Sequence, residues 1–287
     1  MELFRALAVL AEPPTEKTAH LVESLGLGDT PGADEYTELF VFQLYPYASV
    51  YLGREGMMGG EARDRVAGFW RALGQTPPAE PDHLSVMLAL YARLAELEEA
   101  ESDAARRAGW RNARRAFLWE HLLSWLPVYL SKLAEIAPPV FKSWGEMLMR
   151  ALTEESEIVG GQEALPVHLR VAPGLVDPRS GRAEDFLQSL LAPVRFGGIL
   201  ARADLVRGAR RLDLSLRMGE RRFILKSLFA QDARAVLVWL EEEAISWSER
   251  HRSNQKSLGS SSRAWGEKAE AAATLLRELR LTTPEVI

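Results

Sequence analysis

Residues 80–101 read EPDHLSVMLALYARLAELEEAE, and this stretch decides the fold class. Leu84, Met87, Leu88, Tyr91 and Leu94 recur at three- and four-residue steps, which gathers them on one face of a helix. The two-residue alternation of a half-buried strand is missing. The spacing predicts a helix opening at Glu80-Pro81-Asp82-His83. Proline fits the first helical position, and carboxylates in the first turn face the positive end of the helix dipole. Glu96, Glu98, Glu99 and Glu101 then make its solvated end.

The same period runs outward in both directions. Upstream, 35–44 carries Tyr36, Leu39, Phe40 and Gln43 along one stripe, and 61–73 turns Val66, Phe69, Trp70 and Leu73 inward before Gly74. Between them lie the short segment 48–52 and a turn holding Gly53, Gly56, Gly59 and Gly60. The paired prolines Pro77-Pro78 forbid helix interior geometry. Downstream, 104–133 reads as a long helix interrupted at Pro127, and 140–152 as another after Pro138-Pro139. Residues 153–183 are polar and punctuated by Pro166, Pro173, Pro178 and Gly181, the composition of a linker. Helical spacing resumes over 184–191, 202–211, 220–230 and 233–249, the last with Asp232 as N-cap. Ser257 to Ser262 reads as a loop, and 264–281 as a final helix. The expectation is an all-α protein with a helical body over 1–152, a linker over 153–183 and an arginine-rich helical extension over 184–287.

Composition narrows the chemistry. The chain has 287 residues, 47% hydrophobic and 26% charged, a net charge of −5 and no cysteine. That apolar content suits a globular protein and excludes a disordered one. Without cysteine there are no disulfides, thiolate nucleophiles or Cys-ligated metals. The first residues, MELFR, lack a basic stretch followed by a long apolar core, and no apolar run approaches the roughly 20 residues of a membrane span. A soluble, cytoplasmic protein is expected, with no membrane insertion.

Enzyme signatures are missing. There is no phosphate-binding loop ending in Gly-Lys-Ser/Thr, no H-E-x-x-H and no G-x-S-x-G. The five histidines are scattered, and a metal site built from His83 and His121 ranks below a structural role for both. No cofactor, metal or catalytic residue is expected. Glu80, Asp82 and His83 as acid–base groups make only a weak enzyme, because no nucleophile accompanies them.

Two short constellations remain. Tyr36, Leu39 and Phe40 share a helical face and read as core on spacing alone. Glu80-Pro81-Asp82-His83 offers two carboxylates and an imidazole, a set shaped to grip a guanidinium.

Taken in order, Y-T-E-L-F (36–40), P-Y-A-S-V-Y (46–51), E-P-D-H-L (80–84) and F-L-W-E-H-L-L-S-W (117–125) resemble the TorD/DmsD family of molybdoenzyme maturation chaperones. The resemblance covers roughly residues 30–150. It implies an all-helical bundle of TorD-like type, extended here by a carboxy-terminal helical segment. It also implies binding of the twin-arginine signal peptide and the apoprotein of a molybdopterin-containing oxidoreductase, whose catalytic subunit is held from export until its cofactor is inserted. Carried over, the binding surface comprises Tyr36, Leu39, Phe40, Pro46, Tyr47, Ser49, Tyr51, Glu80, Pro81, Asp82, His83 and His121. Such a receptor needs carboxylates bordering an aromatic groove, because its ligand sets two guanidiniums beside an apolar run. A monomer or a helix-swapped dimer is expected.

Residues 195–226 hold nine basic residues against three acidic ones, in a chain that is negative overall. A solvated helix face accounts for this most simply. A docking surface for an acidic client is the sharper reading. A helical nucleic-acid-binding or regulatory protein is the alternative from another class, disfavoured by the net charge and by the lack of aromatics interleaved with the arginines.

Overall fold

The computed structural model describes residues 1–282, and side chains throughout that range except at 256–258. About 71% of the chain is helical, and no strand occurs among the described residues. The all-α expectation therefore holds. The chain packs as two compact units, Met1–Ser49 with Met58–Val167, and Val50–Met57 with the residues from His168 onward.

In the first unit the helix Leu84–Ala100 is the hub, packed by Glu2–Val9 and Ala104–Phe117. Leu84, Met87, Leu88, Tyr91 and Leu94 are all buried, as their spacing predicts. The helix starts at Leu84, however, not at Glu80. Glu80–His83 form a turn, and His83 is the N-cap, its Nδ1 accepting the Ser85 N–H at 3.3 Å. Pro81 thus sits outside the helix, because the backbone of 82–84 is held by another segment, as described below.

Leu126–Ile136 packs on Pro139–Val159, whose Trp144 indole donates to the Leu7 carbonyl at 3.1 Å. That second helix extends to Val159, seven residues beyond its expected end. Inside the same unit Arg114 is buried and donates to Glu98 at 2.8 Å and to Glu155. Tyr91 Oη donates to Glu155 at 2.6 Å, so each buried charge is paired and hydrogen-bonded.

Two segments depart from the α period. Thr37–Gln43 and Leu118–Leu122 are π-helical, with the Leu44 N–H reaching the Leu39 carbonyl at 2.7 Å and the Leu123 N–H reaching the Leu118 carbonyl at 2.8 Å. The wider turn also pairs side chains five apart: Gln43 Nε2 donates to Glu38 at 2.7 Å. Gln43 therefore leaves the stripe that an α period assigned it. Tyr36, Leu39 and Phe40 stay buried. Both π segments overlap motifs on which the family resemblance rests, and π turns are frequent at functional positions.

The second unit is built on the long helix Ala233–Thr282, packed by Pro193–Phe196 and Arg221–Gln231. Asp232 caps it through the Ala235 N–H at 2.8 Å. The serine-rich stretch expected as a loop is helical, with a break at Gly259 (φ 56°, ψ −128°). Ser261 and Ser262 are buried there, and the Ser262 hydroxyl returns a hydrogen bond to the His251 carbonyl at 2.7 Å, which satisfies polar groups that a loop would have given to water. Two tryptophans of this helix lie against glycines: a Cβ on Gly208 would fall 2.6 Å from Trp239, and one on Gly198 2.3 Å from Trp247.

No helix among the described residues is long and apolar enough to cross a membrane.

Candidate functional site

The segments 46–49 and 80–85 cross in the first unit and build one small constellation. Backbone pairing comes first. The Ala48 N–H donates to the Asp82 carbonyl at 3.0 Å, and the Leu84 N–H to the Pro46 carbonyl at 2.8 Å. Tyr47 and His83 consequently face each other as a single antiparallel bridge. Side chains then lock the crossing. Asp82, 2% exposed, accepts the Ser49 N–H at 3.1 Å through Oδ2. The Ser49 hydroxyl, also buried, accepts the Gly59 N–H at 3.0 Å. Pro46 and Pro81 are buried on either side.

What reaches solvent is a different subset. Tyr47 is half-buried, with its ring edge-on to His83 at a centroid distance of 4.8 Å and its hydroxyl donating to the exposed Glu80 at 2.9 Å. The His83 ring lies 2.7 Å through Nδ1 from Ser85 Oγ, and that hydroxyl donates to Glu12. Glu12 is 3.5 Å from His83 and its side chain is 48% exposed. Burial lowers the His83 pKa, against the opposing pull of Glu12, Glu80 and Asp82, so the ring is neutral at pH 7. Burial raises the Tyr47 hydroxyl, helped by Glu80, and pushes Tyr36 up to about 12, with Glu12 adding to it. Two exposed carboxylates, Glu12 and Glu80, thus flank an aromatic–imidazole pair whose members are both uncharged.

The remaining expected residues lie elsewhere. Leu39 and Phe40 are core: the Phe40 ring meets Phe141 at 5.0 Å and Trp144 at 6.0 Å, both nearly perpendicular. The Tyr36 ring packs tilted against Phe40 at 5.0 Å, while its hydroxyl reaches the Ala11 carbonyl at 3.4 Å, beside Glu12. His121 is packed between Phe69 and Phe117, at 5.4 and 5.2 Å. Tyr51 is buried and belongs to the second unit.

Glu12 and Ser85 are what sequence reasoning missed. Glu12 precedes Pro13-Pro14, which marks a turn, but nothing in its spacing ties it to His83, 71 positions away. No group of three His, Cys, Asp or Glu side chains suited to a metal ion occurs among the described residues.

Residues 10–130 match the family model described as nitrate reductase delta subunit. The chain is 33% identical over 95 residues to the chaperone protein TorD of Vibrio vulnificus, covering 31% of this chain and 44% of that protein. It is 28% identical over 142 residues to the chaperone protein TorD of Shewanella amazonensis, covering 40% and 56% respectively. The chain spans about half the length of the curated relatives it matches.

Proposed function

We propose, from the likeness of residues 10–130 to the nitrate reductase delta subunit model and of the chain to TorD chaperones, that this protein assists maturation of a molybdopterin-containing oxidoreductase by binding its twin-arginine signal peptide and apoprotein. In this reading it delays export until the cofactor is inserted, and it works in the cytoplasm without catalysing a reaction itself.

The supporting observation is the pair of exposed carboxylates, Glu12 and Glu80, set on either side of Tyr47 and His83. A signal of this class presents two guanidiniums, and each carboxylate offers the two oxygens that a guanidinium fork accepts. The Tyr47 ring gives an apolar wall beside them. Asp82 keeps the crossing rigid; it is buried and its Oδ2 already accepts the Ser49 N–H. The division of labour is therefore contact by Glu12, Glu80 and Tyr47, and positioning by Asp82, Ser49 and Pro81.

Calorimetry of the full chain with a synthetic twin-arginine signal peptide tests this. Glu12→Gln with Glu80→Gln is expected to weaken binding about tenfold, as is replacing both arginines of the peptide by glutamine, with the melting temperature unchanged. Equal affinity in those variants, or no binding by the native chain, would overturn the reading.

A further inference from the structure

The second unit carries a surface that the signal-peptide reading does not use. Most arginines with a carboxylate nearby are paired with it. On the helix Arg202–Arg211, Arg207 bonds Asp204 and Glu243, and Arg211 bonds Glu242 at 2.6 Å. Further out the pairing stops. Arg210, Arg217, Arg222 and Lys226 are exposed and have no carboxylate partner among the described residues. Four cations outside any such ion pair thus fall within 17 residues that also hold the exposed Asp213 and Glu220, in a chain whose net charge is −5.

Large apolar side chains are exposed in the same stretch. Met218 is 73% exposed, Phe223 48% and Leu216 39%. They do not hang loose. Gln231 brackets Ser215, accepting its N–H at 2.8 Å and donating to its carbonyl at 2.9 Å, which anchors the loop that follows the helix. The Met218 sulfur lies 3.8 Å from the Arg202 guanidinium. The Phe223 ring lies over Gly219, where a Cβ would fall 2.9 Å from it. On the helix Arg221–Gln231 the opposite face, Ile224, Leu225 and Leu228, is buried, so Arg222, Phe223 and Lys226 share the outward one.

We propose that this ledge docks an acidic, amphipathic segment of a partner protein. Methionine, aromatic side chains and arginine are enriched at protein interfaces, and exposed apolar anchors in the same stretch of chain as exposed cations fit a segment that alternates carboxylates with Leu or Phe. Three of the four free cations are arginines, whose fork pairs two-point with carboxylates. A lipid surface is the poorer fit. It is engaged by a continuous apolar face, whereas the outward face of the helix Arg221–Gln231 sets one aromatic, Phe223, between Arg222 and Lys226.

The test is panning of a phage-displayed library of 16-residue peptides against the full chain, followed by fluorescence anisotropy with the enriched peptides. Enrichment of Asp- and Glu-rich sequences containing Leu or Phe is expected. Arg210→Glu with Arg217→Glu and Arg222→Glu should weaken those peptides at least tenfold, and Met218→Ser with Phe223→Ser at least fivefold, with unchanged circular dichroism and melting. Affinity should fall as salt rises. The proposal is overturned if no acidic sequences are enriched, or if the charge-reversed chain binds them equally. It is also overturned if the native chain instead captures phosphatidylglycerol vesicles or single-stranded DNA through these arginines while acidic peptides do not bind.

Discussion

Asp82 Oδ2 holds the backbone N–H of Ser49 at 3.1 Å across 33 residues of sequence, with both residues buried. The contact converts a carboxylate that looks like a ligand-binding group into the fastening of the crossing between 46–49 and 80–84. An amide N–H left without an acceptor at a buried site costs about 1–3 kcal/mol. Asp82→Ala is therefore expected to lower unfolding stability by about that amount, measured by urea titration. Asp82→Asn keeps an oxygen in place and should lose less. A fully stable Asp82→Ala chain would show that the fastening is dispensable.

Phe40 is expected to behave as a core residue in any binding assay. It is 1% exposed and packs edge-on against Phe141 and Trp144. Phe40→Ala should destabilise the first unit by roughly 3–5 kcal/mol, the range for deleting a buried aromatic ring. Any loss of peptide affinity should then track the unfolded fraction and recover at low temperature or in stabilising osmolyte. Phe40→Leu, which conserves more volume, should bind normally.

Gly197 adopts φ +82°, and a Cβ there would fall 2.2 Å from the Ala269 backbone nitrogen. Both the backbone conformation and the contact exclude a side chain. Gly197→Ala should cost roughly 3 kcal/mol or more, combining strain with overpacking. Loss of the high-temperature transition in calorimetry is the readout. Gly161, which has open space at its Cβ and no positive φ, serves as the control, and Gly161→Ala should be close to neutral.

His251 sits between Trp247 and Trp265, with Nε2 2.8 Å from the Gly197 carbonyl. Burial lowers its pKa from the usual 6.5 to about 4, with Arg250 adding to the effect. The unfolded chain takes up this proton first as pH falls. Stability from this group is therefore complete above about pH 6.5 and is lost between pH 6.5 and 4, by roughly 3 kcal/mol in all. Subtracting the pH–stability curve of His251→Gln from that of the native chain should reveal this slope. Parallel curves would contradict it.

The helical class was legible in residues 80–101, because burying an apolar stripe against neighbours imposes a 3.6-residue period that any reader can count. Five residues named on that basis, Leu84 to Leu94, are all in the core. The motifs at 36–51 and 80–84 likewise pointed to one neighbourhood, and Tyr47, Glu80 and His83 meet there. Where the helix began was not legible. Pro81 is an equally good first helical residue and turn residue, and the choice fell to the backbone of Pro46 and Ala48, which captures 82–84.

Local sequence thus determined the helices, their buried faces and the type of residue gathered at the site, since each follows from periodicity and side-chain chemistry within a few turns. Only the tertiary structure decided which carboxylates are free. Asp82 is consumed by an amide 33 residues away, and Glu12 arrives beside His83 from 71 residues away. The physical reason is that burial and hydrogen-bond satisfaction are properties of the partners a group meets, and partners distant in sequence leave no period along the chain.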